Sequence, residues 1–546
     1  MRVAGTAGYR QWRKCLVACG LMALAIACSP AGRWTDRRSE DPALWAGTAA
    51  HISPESIAAP REVAAEVTSS GPLRITVAEA VLLCLENNRA LVVQRINPSI
   101  RQTSEDQERA AYDPTVGVDI TTGRERGERL ARSGSRTEAY TIDTTEGLIS
   151  LEQYFPTGTT VSLEAGAEMN DSSLYEDKFY TTRLGMTINQ VLLRGRGTDA
   201  NLARLRQAKI DTRLSEYELR GYTEALVAEV ERTCWDYALA RRQIEIVEES
   251  LKVARQQLDE TKQLIDVGRL ARAELAAVQA EVAAQEQALI EARADEESLH
   301  LHLLRLLNPS GPGLWQREVD LVHQPTLPEV ELEDVELHVA VSKRMRPAIN
   351  QARLEIQRGE LEVIKTRNGL MPLMDLFITL GKSGYANTFG HAVDNLDEDS
   401  YYALAGIKLK YPFFNRSAKA LHRRALLGRQ QAQHALENLS QLVEVDVRTA
   451  YIEVDRNHRQ ISASSVTRKF DEEKLRIETE KLRVGKSTSF LVAQAQRDLL
   501  ASRIAEVRAL VNYLKALIDL YRLDGTLLER RGIAAPGREP VQNAAR

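Results

Sequence analysis

Aromatic residues are scarce in this chain, and so are cysteines. Aromatics make up 5% of the 546 residues, whereas charged residues make up 27%. This balance is typical of long helices and coiled coils, and it argues against one large round core. The five cysteines predict no disulfide framework. Cys15, Cys19 and Cys28 cluster at the N-terminus, while Cys84 and Cys234 lie alone in helical segments, where we expect small core residues.

Motifs that carry chemistry are also missing. The net charge is only -4 and no basic stripe with interleaved aromatics occurs, so nucleic acid is a poor partner. The nine histidines have no metal-ligand spacing, and no glycine-rich phosphate loop follows a strand. Ser, His and Asp form no recognisable nucleophile setting. We therefore expect no enzyme, no cofactor and no bound metal.

Long apolar runs are absent beyond the N-terminus. A run from Cys15 to Ala27 follows a short basic segment. It is too short to span a membrane, and it predicts a secretory signal peptide over residues 1–27. Since no later run reaches membrane-spanning length, any insertion into a membrane after export would have to use strands.

The residues after the signal peptide predict an anchor and a tether. Leu24 to Cys28 resembles the lipobox of bacterial lipoproteins, which predicts lipidation of Cys28. Ordinary cleavage after Ala27 is the alternative, and either version exports the chain. Residues 28–72 are rich in Pro, Ala, Ser and charge, which is typical of a flexible tether.

Helical sequence is abundant. Residues 199–306 and 416–524 are rich in Ala, Leu, Glu and Arg, and a Val-Gly dipeptide interrupts each stretch once, at Gly268 and at Gly485. Glycine readily takes the left-handed conformation that turns a chain back at a helix end. Each stretch therefore predicts an antiparallel hairpin of very long helices, the first reaching roughly 100 Å at about 1.5 Å per residue.

These helices carry heptad seams. Bulky residues recur every seven positions in the first stretch, and small residues follow three positions later, as close helix packing requires. The bulky positions are Val230, Tyr237, Ile244, Leu251, Leu258 and Ile265. A self-contained coiled-coil stalk would show the same seams.

The sequence contains two copies of one arrangement of predicted elements. Before each hairpin comes a shorter amphipathic helix, Val77 to Tyr112 and Val335 to Gly369, which a proline ends. Landmarks in these helices recur 258 positions apart, for example Pro114 and Pro372. In the hairpins, Arg232 recurs as Arg448 and Gly268 as Gly485.

This repetition predicts the domain organisation. We expect two repeats, one over residues 73–310 and one over residues 331–530. A linker over residues 311–330 joins them, and a disordered tail over residues 531–546 follows.

The sequence between each short helix and its hairpin has the periodicity of β-strands. Apolar residues alternate there with Gly, Thr, Ser and charged residues. The apolar positions are Val116, Val118 and Ile120; Val161, Leu163, Ala165 and Ala167; Leu184, Met186 and Ile188; Met374, Leu376, Ile378 and Leu380; and Ala405, Ile407, Leu409, Tyr411 and Phe413. The apolar face would meet a second sheet in a soluble sandwich, or lipid in an outer-membrane barrel. Residues 123–147 and 381–400 predict exposed loops.

The first repeat is longer than the second in this region. Two runs that resemble strands, within residues 147–169, flank the turn Pro156-Thr157-Gly158. We expect an additional hairpin that adds two strands to a barrel wall. A hairpin folded over one end of the barrel is the alternative.

The order of export signal, helix, strands and helical hairpin, repeated, resembles the TolC-like outer membrane efflux proteins over residues 73–530. The most specific residues are the helix opening Thr76-Val77-Ala78-Glu79-Ala80 with Glu86-Asn87-Asn88, the corners Gln190-Val191-Leu192-Leu193-Arg194-Gly195 and Tyr411-Pro412-Phe413-Phe414-Asn415, and Gln494-Ala495-Gln496 after the second turn. Val191 stands where proline is usual. The resemblance implies a mainly α chain with membrane β structure, assembled as a homotrimer in which a transmembrane β-barrel continues into an α-barrel of helical hairpins.

The resemblance also implies a gate at the two Val-Gly turns, which would form the periplasmic mouth of the tunnel. In the family, acidic residues just past the turns narrow this entrance. The matching position in the first hairpin is Glu274, and three copies of it would favour cations. In the second hairpin the acidic pair is replaced by Leu491 and Gln494, and the linking arginine by Ser487. An ordinary solvated helix residue is the alternative for Glu274.

Two functions follow from these expectations. The first is an outer membrane duct, surrounded by outer membrane lipid and extending into the periplasm of a Gram-negative bacterium. It would export substrates passively in a tripartite efflux or type I secretion system, with a periplasmic adaptor and an inner-membrane transporter as partners. The alternative is a lipid-anchored periplasmic coiled-coil scaffold that does not conduct.

Overall fold

The structure is a computed structural model, and it describes most of the chain after the predicted tether. The described residues are 73–130, 134, 136–173, 176–268, 270–309, 314–322, 325–328 and 332–542. The predicted signal peptide, residues 1–27, and the predicted tether, residues 28–72 with Cys28, lie outside them.

Two helical hairpins dominate the described residues. The first consists of α4 (Ala203–Asp266) and α5 (Glu274–Leu307), and a single turn, α3 (Thr198–Asn201), precedes it. The second consists of α9 (Arg416–Arg483) and α10 (Ser489–Leu523). The outgoing helices have 64 and 68 residues, which correspond to about 100 Å at about 1.5 Å per residue.

Each predicted short helix is broken once, so the prediction of single helices is wrong. The first comprises α1 (Val77–Asn87) and α2 (Arg89–Arg109), followed by a 3-10 turn at Ala110–Tyr112. The second comprises α6 (Val335–Met345) and α7 (Pro347–Asn368).

The two breaks have local causes. Arg346 takes φ −55° and ψ 126° because the proline after it disfavours helical backbone. Asn88 takes φ −65° and ψ 114°, and its side chain accepts a hydrogen bond from Leu91 N at 3.0 Å, as an N-cap does. The breaks are 258 positions apart, the spacing of the landmarks in the sequence.

Six antiparallel strands form one sheet in which neighbours along the chain pair in order. They are β2 (Thr115–Leu130), β3 (Thr137–Phe155), β4 (Thr159–Ser172), β5 (Phe179–Val191), β7 (Leu373–Ala386) and β8 (Tyr401–Lys410). The additional hairpin of the first half is β3–β4, which lies inside the sheet between β2 and β5. It does not fold over one end.

The predicted loops are much shorter than expected. Residues 123–130 and 137–147 continue β2 and β3, and in the second half β7 runs on to Ala386, with helix α8 (Phe389–Asp394) behind it. Polar cross-strand pairs replace the apolar alternation in the extended part. Arg124 and Asp143, for example, are joined by an Nε–Oδ1 contact of 2.5 Å. The alternation that predicts strands is lost there because both faces are exposed.

The sheet has one apolar and one polar face along most of its length. Val118 pairs with Ile149 on the apolar face, and Ile188 pairs with Ile378 there. The apolar face is open, since Val118 is 64% exposed. No helix of the described residues is both long enough and apolar enough to cross a membrane.

A smaller parallel sheet connects the start of the described chain with the predicted linker. β1 (Leu73–Ile75) pairs with β6 (Val319–Leu321). Both strands pack on the main hydrophobic core, which α1 forms with the middle of α4 and α9 and with the C-terminal ends of α5 and α10. Part of the predicted linker is therefore built into the fold.

The two lone cysteines lie in this core. Cys84 is 1% exposed and Cys234 is fully buried, which confirms their prediction as small core residues. Burial raises the pKa of each thiol to about 12. Neither side chain forms a reactive thiolate at neutral pH.

The C-terminal tail is ordered against the helices, so the prediction of disorder is wrong for residues 531–542. Val541 is buried against Tyr217 of α4 and Leu354 of α7. Its backbone N–H donates to Asn350 Oδ1 at 2.9 Å, and the Tyr217 hydroxyl donates to the Glu539 carbonyl. Apolar contacts of Ile533, Ala535 and Val541, together with hydrogen bonds of the backbone, dock a segment that composition alone marks as polar.

Buried charges link α4 to the C-terminal end. Arg220 donates to Glu224 Oε1 at 3.1 Å and to Glu529 Oε1 at 2.5 Å, and Glu529 lies in the short helix α11 (Leu527–Arg530). Burial raises the pKa of Glu224 to about 7 against the opposing effect of Arg220. Burial of this carboxylate is therefore costly in its ionised form.

Replacing Glu224 by Gln is expected to flatten the pH dependence of stability. Since folding raises the pKa of this carboxyl from 4.5 to about 7, the folded protein loses stability as the pH rises between these values. Thermal unfolding at pH 5 and pH 8 measures the loss, which should be smaller in the variant than in the parent. Glu218→Gln, an exposed glutamate of the same helix, is the control and should behave as the parent.

Candidate functional site at the hairpin tips

Both hairpins turn at the predicted glycines. Gly268 has φ 76° and Gly485 has φ 73°, in the left-handed region that disfavours residues with a side chain. Gly485 N donates to the Leu482 carbonyl at 3.0 Å, and Lys486 N donates to the Lys481 carbonyl at 2.8 Å. These bonds satisfy carbonyls at the end of α9, as in a Schellman cap.

A carboxylate links the two tips. Glu274 is the first residue of α5, and its Oε2 accepts a hydrogen bond from Ser489 N, the first residue of α10, at 2.9 Å. The N-terminus of a helix carries unpaired N–H groups and a partial positive charge, so a carboxylate is a favourable partner there. Glu274 therefore has a partner in the other hairpin, beside the N-cap Thr488 of that helix, which the alternative of an ordinary solvated residue does not describe.

The other predicted tip residues have different surroundings. Ser487 Oγ donates to Glu478 Oε2 at 2.6 Å within the second hairpin. Hydrogen bonds from Lys481 and from Ser487 hold the pKa of Glu478 below its usual range. Leu491 and Gln494 are exposed. The structure therefore joins Glu274 to the second hairpin and leaves these two facing solvent.

A second polar contact lies about two helical turns from the first. Glu281 of α5 is buried, accepts a hydrogen bond from Gln285 Nε2 at 2.7 Å, and lies 3.5 Å from Arg497 Nε of α10. The sequence analysis missed this contact. A signal was present, because Glu281 follows Glu274 by seven positions and so lies on the same helix face.

Several buried polar atoms near the tips have no hydrogen-bond partner. They are Thr261 Oγ1, Gln285 Oε1 and Ser489 Oγ. Unpaired buried polar groups weaken an interface. The contacts between the hairpins near their tips therefore include polar ones with incomplete hydrogen bonding, whereas the main apolar core lies further from the turns.

The described residues hold no group of three or more His, Cys, Asp or Glu side chains placed to bind a metal ion.

The sequence matches one family model in two segments. The model of the outer membrane efflux protein family matches residues 81–308 and 342–526. No curated protein matches the chain in sequence.

Solved structures share the fold at low sequence identity. A membrane protein from Pseudomonas aeruginosa is 18% identical with a TM-score of 0.62, over 84% of this chain and 91% of that one. The CmeC outer membrane channel of Campylobacter jejuni is 14% identical with a TM-score of 0.62, over 83% and 86%. The outer membrane protein VceC of Vibrio cholerae is 14% identical with a TM-score of 0.61, over 82% and 96%.

Replacing Glu274 by Ala should loosen the start of α10. A hydrogen bond to a charged group contributes about 1.5 to 3 kcal/mol, so we expect the Ser489 amide to exchange its hydrogen roughly tenfold faster or more. Hydrogen–deuterium exchange of a peptide that contains this residue in its interior measures the change. Glu297→Ala, an exposed glutamate of the same helix α5, should leave it unaltered. Equal exchange in all three proteins would show that the link does not hold the tip.

Proposed function

The chain belongs to the outer membrane efflux protein family, and from this premise we propose that three copies of it form a passive duct across the outer membrane. Members of the family are outer membrane channels and not enzymes. The duct would conduct substrates that an inner-membrane transporter and a periplasmic adaptor deliver, with the energy supplied by that transporter.

The observation that carries the proposal is the open sheet. Its apolar face is exposed, and its edge strands β2 and β8 pair with no further strand among the described residues. In lipid every backbone polar group needs a partner, so a sheet can cross a membrane only when it closes into a barrel. Six strands from each of three copies close as an eighteen-stranded barrel. In this wall β3–β4 of each copy supplies two of the six strands.

Aromatic side chains mark the limits of the proposed membrane band. Phe389 of α8 and Tyr401 of β8 are exposed at one end, and Phe413 is 88% exposed just past the other end of β8. Aromatic girdles flank the apolar band of membrane barrels. The ten residues of β8, at about 3.3 Å per residue and a tilt of about 40°, span about 25 Å, which matches such a band.

The helical hairpins continue the duct into the periplasm, with their tips as its mouth. In the closed state Glu274 holds α10 of the second hairpin beside α5 of the first. Release of this contact lets the second hairpin move away from the first and widens the mouth. Three Glu274 carboxylates near the entrance favour cations.

A lipid-anchored scaffold is the weaker alternative. It accounts for the helical seams and for a lipidated Cys28, but it leaves the apolar face of the sheet without a partner. Lipidation of Cys28 and removal of residues 1–27 remain predictions within the proposed duct, in which the lipid would add a second attachment to the same membrane.

Single-channel recording in planar bilayers tests the duct and its mouth together. Purified parent protein should conduct weakly, because the mouth is closed, and Glu274→Ala should conduct more and stay open longer, because its α10 is released. Glu297→Ala is the matched control and should resemble the parent. Folded trimers that conduct neither as parent nor as Glu274→Ala would contradict the duct.

A further inference from the structure

We propose that α2 of one copy packs against α9 of the neighbouring copy in the way that α7 packs against α4 within one copy. This inference rests on the proposed ring of copies and identifies the surfaces that join them. It treats residues 73–310 and 331–530 as two repeats of one packing arrangement.

Within one copy α7 lies in a cradle between two long helices. On the α4 side, Arg358 Nε lies 3.1 Å from Asp211 Oδ1, and Pro347 lies against Gly221, where an added Cβ would meet Pro347 Cβ at 3.6 Å. On the α9 side, Gly359 lies against the backbone and side chain of Arg429. Both sides of α7 are therefore covered.

The counterpart α2 is covered on one side only. It packs along α4, where Glu105 accepts a hydrogen bond from Thr212 Oγ1 at 2.6 Å, and Leu91 is its one buried residue. Its other side exposes an apolar stripe at helical spacing. The stripe consists of Val92, Val93, Ile96 and Ile100. Four apolar side chains in one stripe indicate a missing partner.

The internal repetition identifies that partner. Arg358 stands 258 positions after Ile100, the spacing that relates the short helices, so these two residues correspond. Arg448 stands 216 positions after Arg232 in the long helices, and the same spacing makes Leu427 of α9 the counterpart of Asp211. The ion pair inside one copy thus corresponds to an apolar pair, Ile100 and Leu427, between copies. Both are accessible, at 57% and 56% exposure.

A second pair of positions agrees in chemistry. Pro347 corresponds to Arg89 by the first spacing, and Gly221 corresponds to Glu437 by the second. Arg89 and Glu437 are both exposed, and they carry opposite charges. A close apolar contact within one copy therefore corresponds to a charge pair between copies.

The cradle of α7 within one copy and the proposed cradle of α2 between copies are therefore different. The first contains an ion pair where the second contains an apolar pair. An α2 helix placed in the cradle of α7 would leave Asp211 facing Ile100, and an α7 helix placed on the neighbour would leave Arg358 facing Leu427. Each of these arrangements sets a partly exposed charge against an apolar side chain and removes its ion partner, which is less favourable than either matched pair. The proposed arrangement matches Arg358 with Asp211 and Ile100 with Leu427, so it favours one register between neighbouring copies.

Disulfide crosslinking tests the contact. Ile100→Cys combined with Leu427→Cys should give covalent dimers and trimers on non-reducing gels after mild oxidation of the assembled protein. Each single variant should stay monomeric on the gel, since its new thiol faces no second one. Cys84 and Cys234 are buried with raised thiol pKa values and should not react. The parent protein, oxidised in the same way, is the control. Any crosslink that it forms comes from the N-terminal cysteines.

A charge exchange gives an independent readout if the cysteines disturb assembly. Arg89→Glu and Glu437→Arg, each alone, should lower the trimer-to-monomer ratio in detergent by about two- to fivefold per interface, and the double variant should restore it. Glu218→Arg, an exposed charge change on α4, should have no such effect.

The outcomes separate this contact from the duct itself. A parent protein that is never trimeric by mass overturns the proposed function together with this inference. A trimeric parent whose double-cysteine variant forms trimers without crosslinks, and in which the charge exchange fails to rescue assembly, overturns this inference alone.

Discussion

The structure depends most on one constraint, which is that the apolar face of the six-stranded sheet needs an apolar surrounding. Among the described residues nothing covers this face, and the edge strands β2 and β8 pair with no further strand. In the proposed duct, lipid would cover the face and neighbouring copies would pair with the edges. Once the sheet has closed through copies, the long hairpins that leave it are held side by side. The helical part of the proposed duct is therefore a consequence of the closure of the sheet.

The hairpins are held by one large apolar core and by mixed contacts near their turns. α1, α4, α5 and α10 share the core, which includes the fully buried Leu303 and Leu520. Near the turns, Glu274 makes a polar contact between the hairpins, while Val278 and Val492 are buried there. Separation of an apolar core exposes its whole area to water, whereas a polar group can exchange its partner for water at smaller cost. The Glu274 contact is therefore easier to open than the core.

The sequence predicts the features that have a local pattern and not those that join distant residues. Heptads and alternation predict the hairpins and the strands, and a single glycine marks each turn. The breaks at Asn88 and Arg346 are not predicted, although Pro347 signals the second. The docking of Val541 and the bond from Ser489 to Glu274 join residues far apart in the chain, and no local pattern records them. The ends of the long strands lack apolar alternation, so the sequence predicts loops where the strands continue.

The additional hairpin β3–β4 has a consequence for the width of the proposed duct in the membrane. The bore of a barrel widens with the number of its strands. Each copy contributes six strands to the proposed wall, and two of them belong to this hairpin. A wall of eighteen strands is therefore wider than the twelve-stranded wall that the same three copies would form without the hairpin.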